Sequence, residues 1–280
     1  MKNDYTLDKS TFFKDDRLPF VEARFSLNCG QHFNEHSHQT LSVGAVEQGV
    51  VSYLHAKNEY VLKPNELSVI NPNIVHACNP KQSQSRTYHM IYVDVEWCKG
   101  IQQSLFDHVD KFIPVSTVQV MDKDLFEKYL KLNYLLLDEK AFDLEKEESL
   151  QMFFSELFLL YCDNSVKLEK SISCNTQRIS KAKEYIKNNC RLNLTVKKIS
   201  SEVGLSEFYF IKIFKQNVHL TPHAFLLNEK INLAKELLRA KNSILDVALE
   251  VGFSDQSHLN RVFKKHVAAT PYEYQQSIIG

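Results

Sequence analysis

SILDVALEVGFSDQSHLNRVFKKHVAATPYEY, residues 243–274, holds two short amphipathic helical patterns around a glycine turn. Ser243 is placed to cap the first helix, with Asp246 in the reciprocal position, and Gly252 supplies the left-handed residue that ends it. A second helix is predicted from Ser254. In it Leu259, Val262 and Phe263 fall at i, i+3 and i+4 as a buried stripe, while Gln256, Ser257, Asn260, Arg261 and Lys264 gather on the opposite face. Two helices of this kind, the second offering amide, hydroxyl and guanidinium groups, describe a helix-turn-helix whose second helix enters a major groove.

The pattern occurs twice. Glu202, Val203, Gly204 and Ser206 precede Glu250, Val251, Gly252 and Ser254 by 48 positions, and Phe214, Lys215, Thr221 and Pro222 precede Phe263, Lys264, Thr270 and Pro271 by 49. Repetition of a whole supersecondary unit, down to its Thr-Pro ending, points to two copies of one device. Carrying the exposed face back 49 positions places Phe208, Ile211, Lys212 and Lys215 in the first copy where Ser257, Asn260, Arg261 and Lys264 stand in the second. Gln256 and Asn260 suit adenine and Arg261 suits guanine, whereas Phe208 and Ile211 offer only apolar contact, best directed at thymine methyl groups. Between the copies, Thr221 caps a helix with Pro222 at its first position. That helix, ~27 Å long, compares with the ~34 Å between successive major-groove faces, so one rod can hold both copies on one side of a duplex.

Residues 178–276 resemble the two-unit DNA-binding domain of the AraC/XylS family of bacterial transcription regulators, and EVGFSDQSHLNRVFKKHVAATPYEY is close to that family's signature. The chain departs from it at His219 and Ala268, where the family usually has Gly, and at Ile211, where a small polar residue is common. The resemblance implies double-stranded promoter DNA and RNA polymerase as partners, and more often activation than repression.

Composition agrees with a division of labour. Formal net charge is +0, yet Ser171–Gly280 holds sixteen Lys/Arg against nine Asp/Glu, so this part carries +7 and residues 1–170 carry −7. A basic C-terminal part joined to an acidic N-terminal part suits DNA binding at one end only. The opening MKNDYTLDKS has no apolar core, and runs such as Leu157–Tyr161 fall far short of the ~20 residues that span a membrane, so a cytoplasmic location and no membrane partner are expected. Six cysteines without a CxxC spacing argue against structural zinc or a disulfide framework.

Residues 18–96 read as strands. Val21–Leu27, Leu41–Glu47, Val50–Leu54, Glu59–Leu62, Leu67–Ile70 and Thr87–Val95 are separated by Gly49, Lys57-Asn58, Pro64-Asn65 and Asn71-Pro72-Asn73, a pattern for a barrel or sandwich. His36-Ser37-His38, Gly49, Pro64-Asn65-Glu66, Asn71-Pro72-Asn73 and His76 resemble the cupin barrels that form the sensory half of many AraC-type regulators. Asn65 and Asn73 stand where Gly is usual, and Asn next best tolerates a left-handed backbone.

Arg24, His36, His38, Tyr53, His76, Tyr88 and Tyr92 are the candidate effector-binding residues. Arg24, Arg86 and His89 are the candidates for an anionic group on the effector, with no choice among them from sequence. Three neutral imidazoles can hold zinc or iron, but the carboxylate of the metal-dependent enzymes would fall near Ser42, where none stands. No metal or other cofactor is expected.

Asp122–Asp163 turns helical: Leu125, Tyr129, Leu132 and Leu136 form one stripe, and Leu150, Phe153, Phe154, Leu157, Leu160 and Tyr161 a second. The predicted fold class is α+β: a cupin-like β-barrel over 1–121, a helical segment over 122–163 that the resemblance makes a homodimer contact, a linker over 164–176, and an all-α domain over 177–280 with two helix-turn-helix units. The expected function is a ligand-responsive transcription activator, not an enzyme. Two readings compete with it: a metal-dependent cupin enzyme or metal sensor on a DNA-binding tether, and a regulator controlled by a protein partner.

Overall fold

The structure is a computed structural model describing residues 9–81, 85–162, 175–267 and 269–279. It divides into two compact units, Met1–Ala141 with Ser149–Leu168, and Phe142–Glu148 with Glu169–Gly280. Of the expected linker, residues 164–174 lie outside the described residues.

Among the described residues the first unit carries nine strands: β1 (Lys9–Lys14), β2 (Val21–Cys29), β3 (Leu41–Gln48), β4 (Val51–His55), β5 (Asn58–Leu62), β6 (Leu67–Ile70), β7 (His76–Pro80), β8 (Arg86–Val93) and β9 (Gln119–Val120). They form a six-stranded sheet in the order β1-β2-β8-β3-β6-β9 and a three-stranded sheet in the order β5-β4-β7, with every pairing antiparallel. The expected barrel is therefore two sheets, with no closed ring of strands among the described residues. Cys29, Val46, Tyr88 and Met90 of the larger sheet pack with Val51, Tyr53 and Leu62 of the smaller as one core. Gly49, Asn65 and Asn73 all take the left-handed backbone their turns require, at φ of 88°, 72° and 64°.

Three helices complete this part of the chain: α1 (Val95–Leu105), α2 (Lys123–Leu137) and α3 (Asp143–Tyr161). Val95, read as the end of a strand, opens α1 instead, because Asp94 accepts the N–H of Trp97 and caps a helix there. The stripe on α2 is buried as the periodicity requires, and so are Leu150, Phe153, Phe154 and Leu157 on α3. Leu160, counted in the α3 stripe, is 54% exposed. Trp97 stacks on Phe20 at 4.6 Å between ring centroids and meets Phe154 edge-on at 5.7 Å.

The second unit is helical: α4 (Asn175–Asn188), α5 (Val196–Glu202), α6 (Glu207–Val218), α7 (Pro222–Arg239), α8 (Ile244–Val251), α9 (Gln256–Val267) and α10 (Pro271–Ile279). The repeat appears as two cores. Ile179, Ala182 and Ile186 of α4 close on Ile199, Phe210, Ile213 and Phe214, while Ile231, Ala234 and Leu238 of α7 close on Val247, Val251, Leu259, Val262 and Phe263. Each preceding helix thus buries the apolar face of the pair after it, at about 1.5–3 kcal/mol per large side chain. Ser243 caps α8 by accepting the Asp246 N–H at 3.1 Å, and Thr221 caps α7 by accepting that of Ala224 at 3.1 Å. Helix α9 starts two residues later than predicted, because Asp255, not Ser254, accepts the His258 N–H at 2.7 Å. His219 occupies the left-handed C-cap of α6 at φ 59°, filling a glycine-type position without breaking the turn. Ala268 lies outside the described residues.

Candidate effector pocket and nucleic-acid interface

Alternation along β2 and β8 builds the pocket. Arg24 and Ser26 share one face of β2, Arg86, Tyr88, Met90 and Tyr92 share one face of β8, and the register places Ser26 opposite Tyr88 and Arg24 opposite Met90. These side chains meet Val51 and Leu62 of the smaller sheet around a cavity of about 100 Å³, also lined by Phe33, His36, Val46, Ile70, His76 and Cys78. Asn79 fixes the Phe33 edge by accepting its N–H at 2.6 Å and donating to its carbonyl at 3.1 Å. Of the predicted effector residues, Arg24, His36, His76, Tyr88 and Tyr92 line this cavity, and the His38 ring stands beside those of His76 and Tyr92, at 4.7 and 5.3 Å. Tyr53 does not line it. Its ring is fully buried and its hydroxyl donates to the Val69 carbonyl at 3.0 Å, so it ties the two sheets together.

The three candidates for an anionic group separate clearly. His89 also borders the cavity, but its Nε2 meets the Glu47 carboxylate at 2.8 Å and its Nδ1 meets Asn133 Oδ1 at 2.9 Å, so its polar capacity is taken. Arg86 is 2% exposed and, among the described residues, donates to the carbonyls of Gln31 and Cys78, at 3.1 and 3.0 Å. Burial lowers its pKa, and the Arg24 charge works in the same direction. Arg24 donates to Ser26 at 2.9 Å and to Ser10 at 3.2 Å.

His36, His38 and His76 come together with one ring nitrogen of each within 4.8 Å of the others. His36 and His76 exchange a pair of backbone hydrogen bonds at 3.1 and 2.9 Å, which brings the HxH loop against β7. Nδ1 of His36 faces the Asn34 carbonyl at 2.8 Å and Nδ1 of His76 faces that of Ile74 at 2.9 Å; Nδ1 of His38 lies 3.4 Å from that of Thr40. A carbonyl only accepts, so in His36 and His76 these contacts place the proton on Nδ1 and leave Nε2 with its lone pair, the arrangement a metal-binding histidine requires, while both ring nitrogens of His38 lie within 3.4 Å of the Ser42 hydroxyl. Burial lowers the His38 pKa and takes that of His76 down to about 4, which keeps both rings uncharged at neutral pH. Ser42, at the position where a carboxylate would complete the set, lies 3.3 Å from His38 instead.

In the second unit, α9 presents Gln256, Ser257, Arg261 and Lys264 to solvent with Asn260 half-buried, over a buried Leu259, Val262 and Phe263. Helix α6 corrects the expectation for the first copy. Lys212 and Lys215 are exposed, but Phe208 is 8% exposed and Ile211 only 2%, because Ile211 joins the core built by α4. Neither is placed to touch a thymine methyl. Gln216 is exposed one residue after Lys215.

The turn between α8 and α9 is built on Gly252, at φ 82°. Lys230 of α7 reaches it, donating Nζ to the Val251 carbonyl at 2.5 Å, and burial lowers the Lys230 pKa to about 8. All described cysteines are free. Among the described residues no helix is long and apolar enough to cross a membrane.

Residues 22–160 match the family model described as an AraC-like ligand binding domain, and residues 199–277 match that of a helix-turn-helix domain. The chain is similar to YbfI of Bacillus subtilis strain 168, an uncharacterized HTH-type transcriptional regulator, with 26% identity over 239 residues, 85% of this chain and 86% of that protein. It is similar also to YfiF of the same organism, of the same description, with 26% identity over 260 residues, 86% of this chain and 78% of that protein. Among solved structures, an AraC-type regulator from Chromobacterium violaceum aligns at 26% identity and a TM-score of 0.36, over 37% of this chain and 94% of that one.

Proposed function

Because the chain belongs to the AraC family of transcriptional regulators, a DNA-binding regulator with an N-terminal ligand domain, we propose that a small molecule in the first unit's cavity controls promoter binding by the second. The observation that carries this reading is the polar, exposed face of α9 over a wholly buried apolar stripe, on a unit of net basic charge. Helix α9 reads bases, α6 holds the backbone through Lys212 and Lys215, and α7, ~27 Å long, spaces the two. Control requires that the effector favour one state of the protein over another, since equal affinity for both shifts nothing. The regulator works in the cytoplasm without catalysing a reaction, more often as an activator that recruits RNA polymerase. It acts as a homodimer through α2 and α3, a reading supported by exposed Met152, Leu159 and Leu160 on α3. Selection from randomised duplexes with the full chain tests the DNA reading: enrichment of a bipartite site with strong salt dependence is expected, and uniform, sequence-indifferent binding would overturn it.

One observation favours a second reading, that the effector is a divalent cation. The three imidazoles converge, with His38 and His76 held uncharged by burial, although three nitrogens on one zinc ion sit roughly 3.4 Å apart and the rings must close slightly to reach that. Protein purified without chelator separates the two readings. Near-stoichiometric zinc, iron, manganese or nickel, lost in His76→Ala, supports the cation, and far less than one equivalent supports the small molecule.

A further inference from the structure

Among the described residues, the cavity between the two sheets is lined by two arginines and no carboxylate. Arg24 and Arg86 flank the same pair of rings, with guanidinium carbons 5.3 and 4.8 Å from the Tyr88 centroid and each 5.5 Å from that of Phe33. Neither meets a carboxylate among the described residues. Arg86 spends its described hydrogen bonds on two carbonyls and Arg24 on two hydroxyls, so several of their ten N–H donors remain unused. The acids nearby are committed elsewhere: Glu47 to His89 and Tyr134, and Glu22 to Lys14. Tyr88 Oη, close enough to Ser26 to feel it, is buried with no partner at hydrogen-bonding geometry.

A buried cation such as Arg86 without a counter-ion is costly, and a second, half-buried arginine bordering the same cavity adds to the cost. Such an arrangement persists where a ligand supplies the missing charge. We propose that the effector is a small carboxylate, its anionic group held between Arg24 and Arg86 with the Tyr88 hydroxyl as a further donor. Val46, Val51, Leu62, Ile70 and Met90 give the wall an apolar stretch beside its histidines and Ser68, so a short hydrocarbon body fits behind the carboxylate. A planar carboxylate matches the guanidinium fork, and a phosphate dianion brings more charge to desolvate than a largely apolar cavity suits. The volume, about 100 Å³, is below the ~150 Å³ that encloses benzene, which sets the scale at two to four carbons. This inference rests on the reading of the cavity as the effector site.

Thermal melting of the full chain tests it with sodium acetate and sodium butyrate against acetamide and butyramide, ionic strength being balanced with sodium chloride. A saturable upward shift with the acids and none with the amides is expected. Arg24→Gln should weaken the apparent affinity roughly tenfold or more, the loss of a charge-assisted hydrogen bond. Arg86→Lys, which keeps the charge and loses the fork, covers the case in which neutral substitutions of Arg86 do not fold. Equal shifts with acid and amide, an acid effect undiminished in Arg24→Gln, or no saturable shift with either acid would overturn the proposal. Inorganic phosphate outcompeting butyrate would replace the carboxylate by an oxyanion of the other kind. No DNA enters this measurement, so its failure leaves the selection experiment to judge the DNA-binding reading separately.

Discussion

The carboxylate of Glu148 accepts the backbone N–H of His223 at 2.6 Å, joining the start of α3 to the first turn of α7 across 75 residues of chain. Glu147 does the same for Val196 at the start of α5, at 2.9 Å. Both fall in Phe142–Glu148, the segment that groups with the helix-turn-helix unit, where Phe142 also packs its ring 5.8 Å from that of Phe253 and 4.7 Å from that of His258. Helix N-termini leave N–H groups unsatisfied, and here side chains from α3 satisfy them.

A fragment from Ser171 to Gly280 should therefore bind the same DNA as the full chain but unfold more easily. It lacks two caps and the Phe142 contact, together worth roughly 2–4 kcal/mol. Urea unfolding of the fragment, compared with the helical transition of the full chain, measures the difference. Equal stability would mean that the two glutamates contribute nothing to this unit.

The same pair sets a pH dependence. Burial raises the Glu147 pKa to about 7 and that of Glu148 to about 8, so the folded unit binds protons that the unfolded chain, near 4.5, has released. Their contribution to stability is complete below pH 4.5 and declines as pH rises towards 8. His223 works in the opposite sense: burial lowers its pKa to about 4, which raises stability between pH 4 and 6.5. The two effects oppose each other up to about pH 6.5; Glu207, whose pKa burial also raises, works in the sense of the two glutamates, and Lys230 begins to add stability beyond pH 8. Stability of this unit should thus fall from pH 6.5 to 8, and Glu148→Gln should flatten the fall. An unchanged slope in the variant would remove Glu148 from the account.

How much of this was legible in the sequence depends on the range of the contacts. Caps, turns and stripes are local, and Ser243, Gly252, Thr221, Asn65 and Asn73 all take the roles their neighbours in sequence imply. Strands β1, β7 and β9 were not foreseen, since β1 and β9 lie outside the stretch read as strands and HACNP, with His, Asn and Pro in five residues, has no clean alternation. Ile211 was misplaced because repeat alignment transfers a position but not its neighbours; α4 covers the face that the alignment left open. Glu147 and Glu148 looked like a solvated acidic run, and only the fold supplies partners 49 and 75 residues away. Of the pocket, Arg24, Tyr88 and Tyr92 were legible because a two-residue period fixes which residues of a strand share a face, and His36 and His76 because they belong to the pattern that resembles a cupin.

The two turn glycines are predicted to differ. Gly204 and Gly252 both hold positive φ, at 63° and 82°, so alanine at either costs roughly 1–2 kcal/mol of backbone strain. At Gly204 a Cβ meets nothing within 4 Å, whereas at Gly252 it falls 2.8 Å from the Arg191 carbonyl oxygen and 2.7 Å from Lys230 Nζ. Thermal melts should show Gly252→Ala as the more damaging substitution, with α9 shifted and DNA binding reduced. Equal losses at the two positions would show that backbone strain alone decides.

The last prediction concerns how the two helix-turn-helix copies divide recognition. Exposed Gln256, Ser257, Arg261 and Lys264 make α9 a surface with bidentate donors, while the exposed groups of α6, Lys212 and Lys215, are point charges beside Gln216. Arginine matches the two acceptors on guanine with a fixed fork, worth about 1–3 kcal/mol of discrimination, and lysine on a flexible stem suits phosphate. With Phe208 and Ile211 buried, α6 keeps few groups able to tell one base from another, so sequence preference should concentrate in the half-site under α9. Arg261→Ala should flatten the preference at one or two base pairs there. Lys264→Ala, Lys212→Ala and Lys215→Ala should each weaken all sites alike and reduce the salt slope by about one phosphate contact. Selection on randomised duplexes at two salt concentrations reads both effects in one experiment. If Arg261→Ala lowers affinity uniformly and leaves every base preference intact, Arg261 holds the backbone and the reading of α9 passes to Gln256 and Asn260.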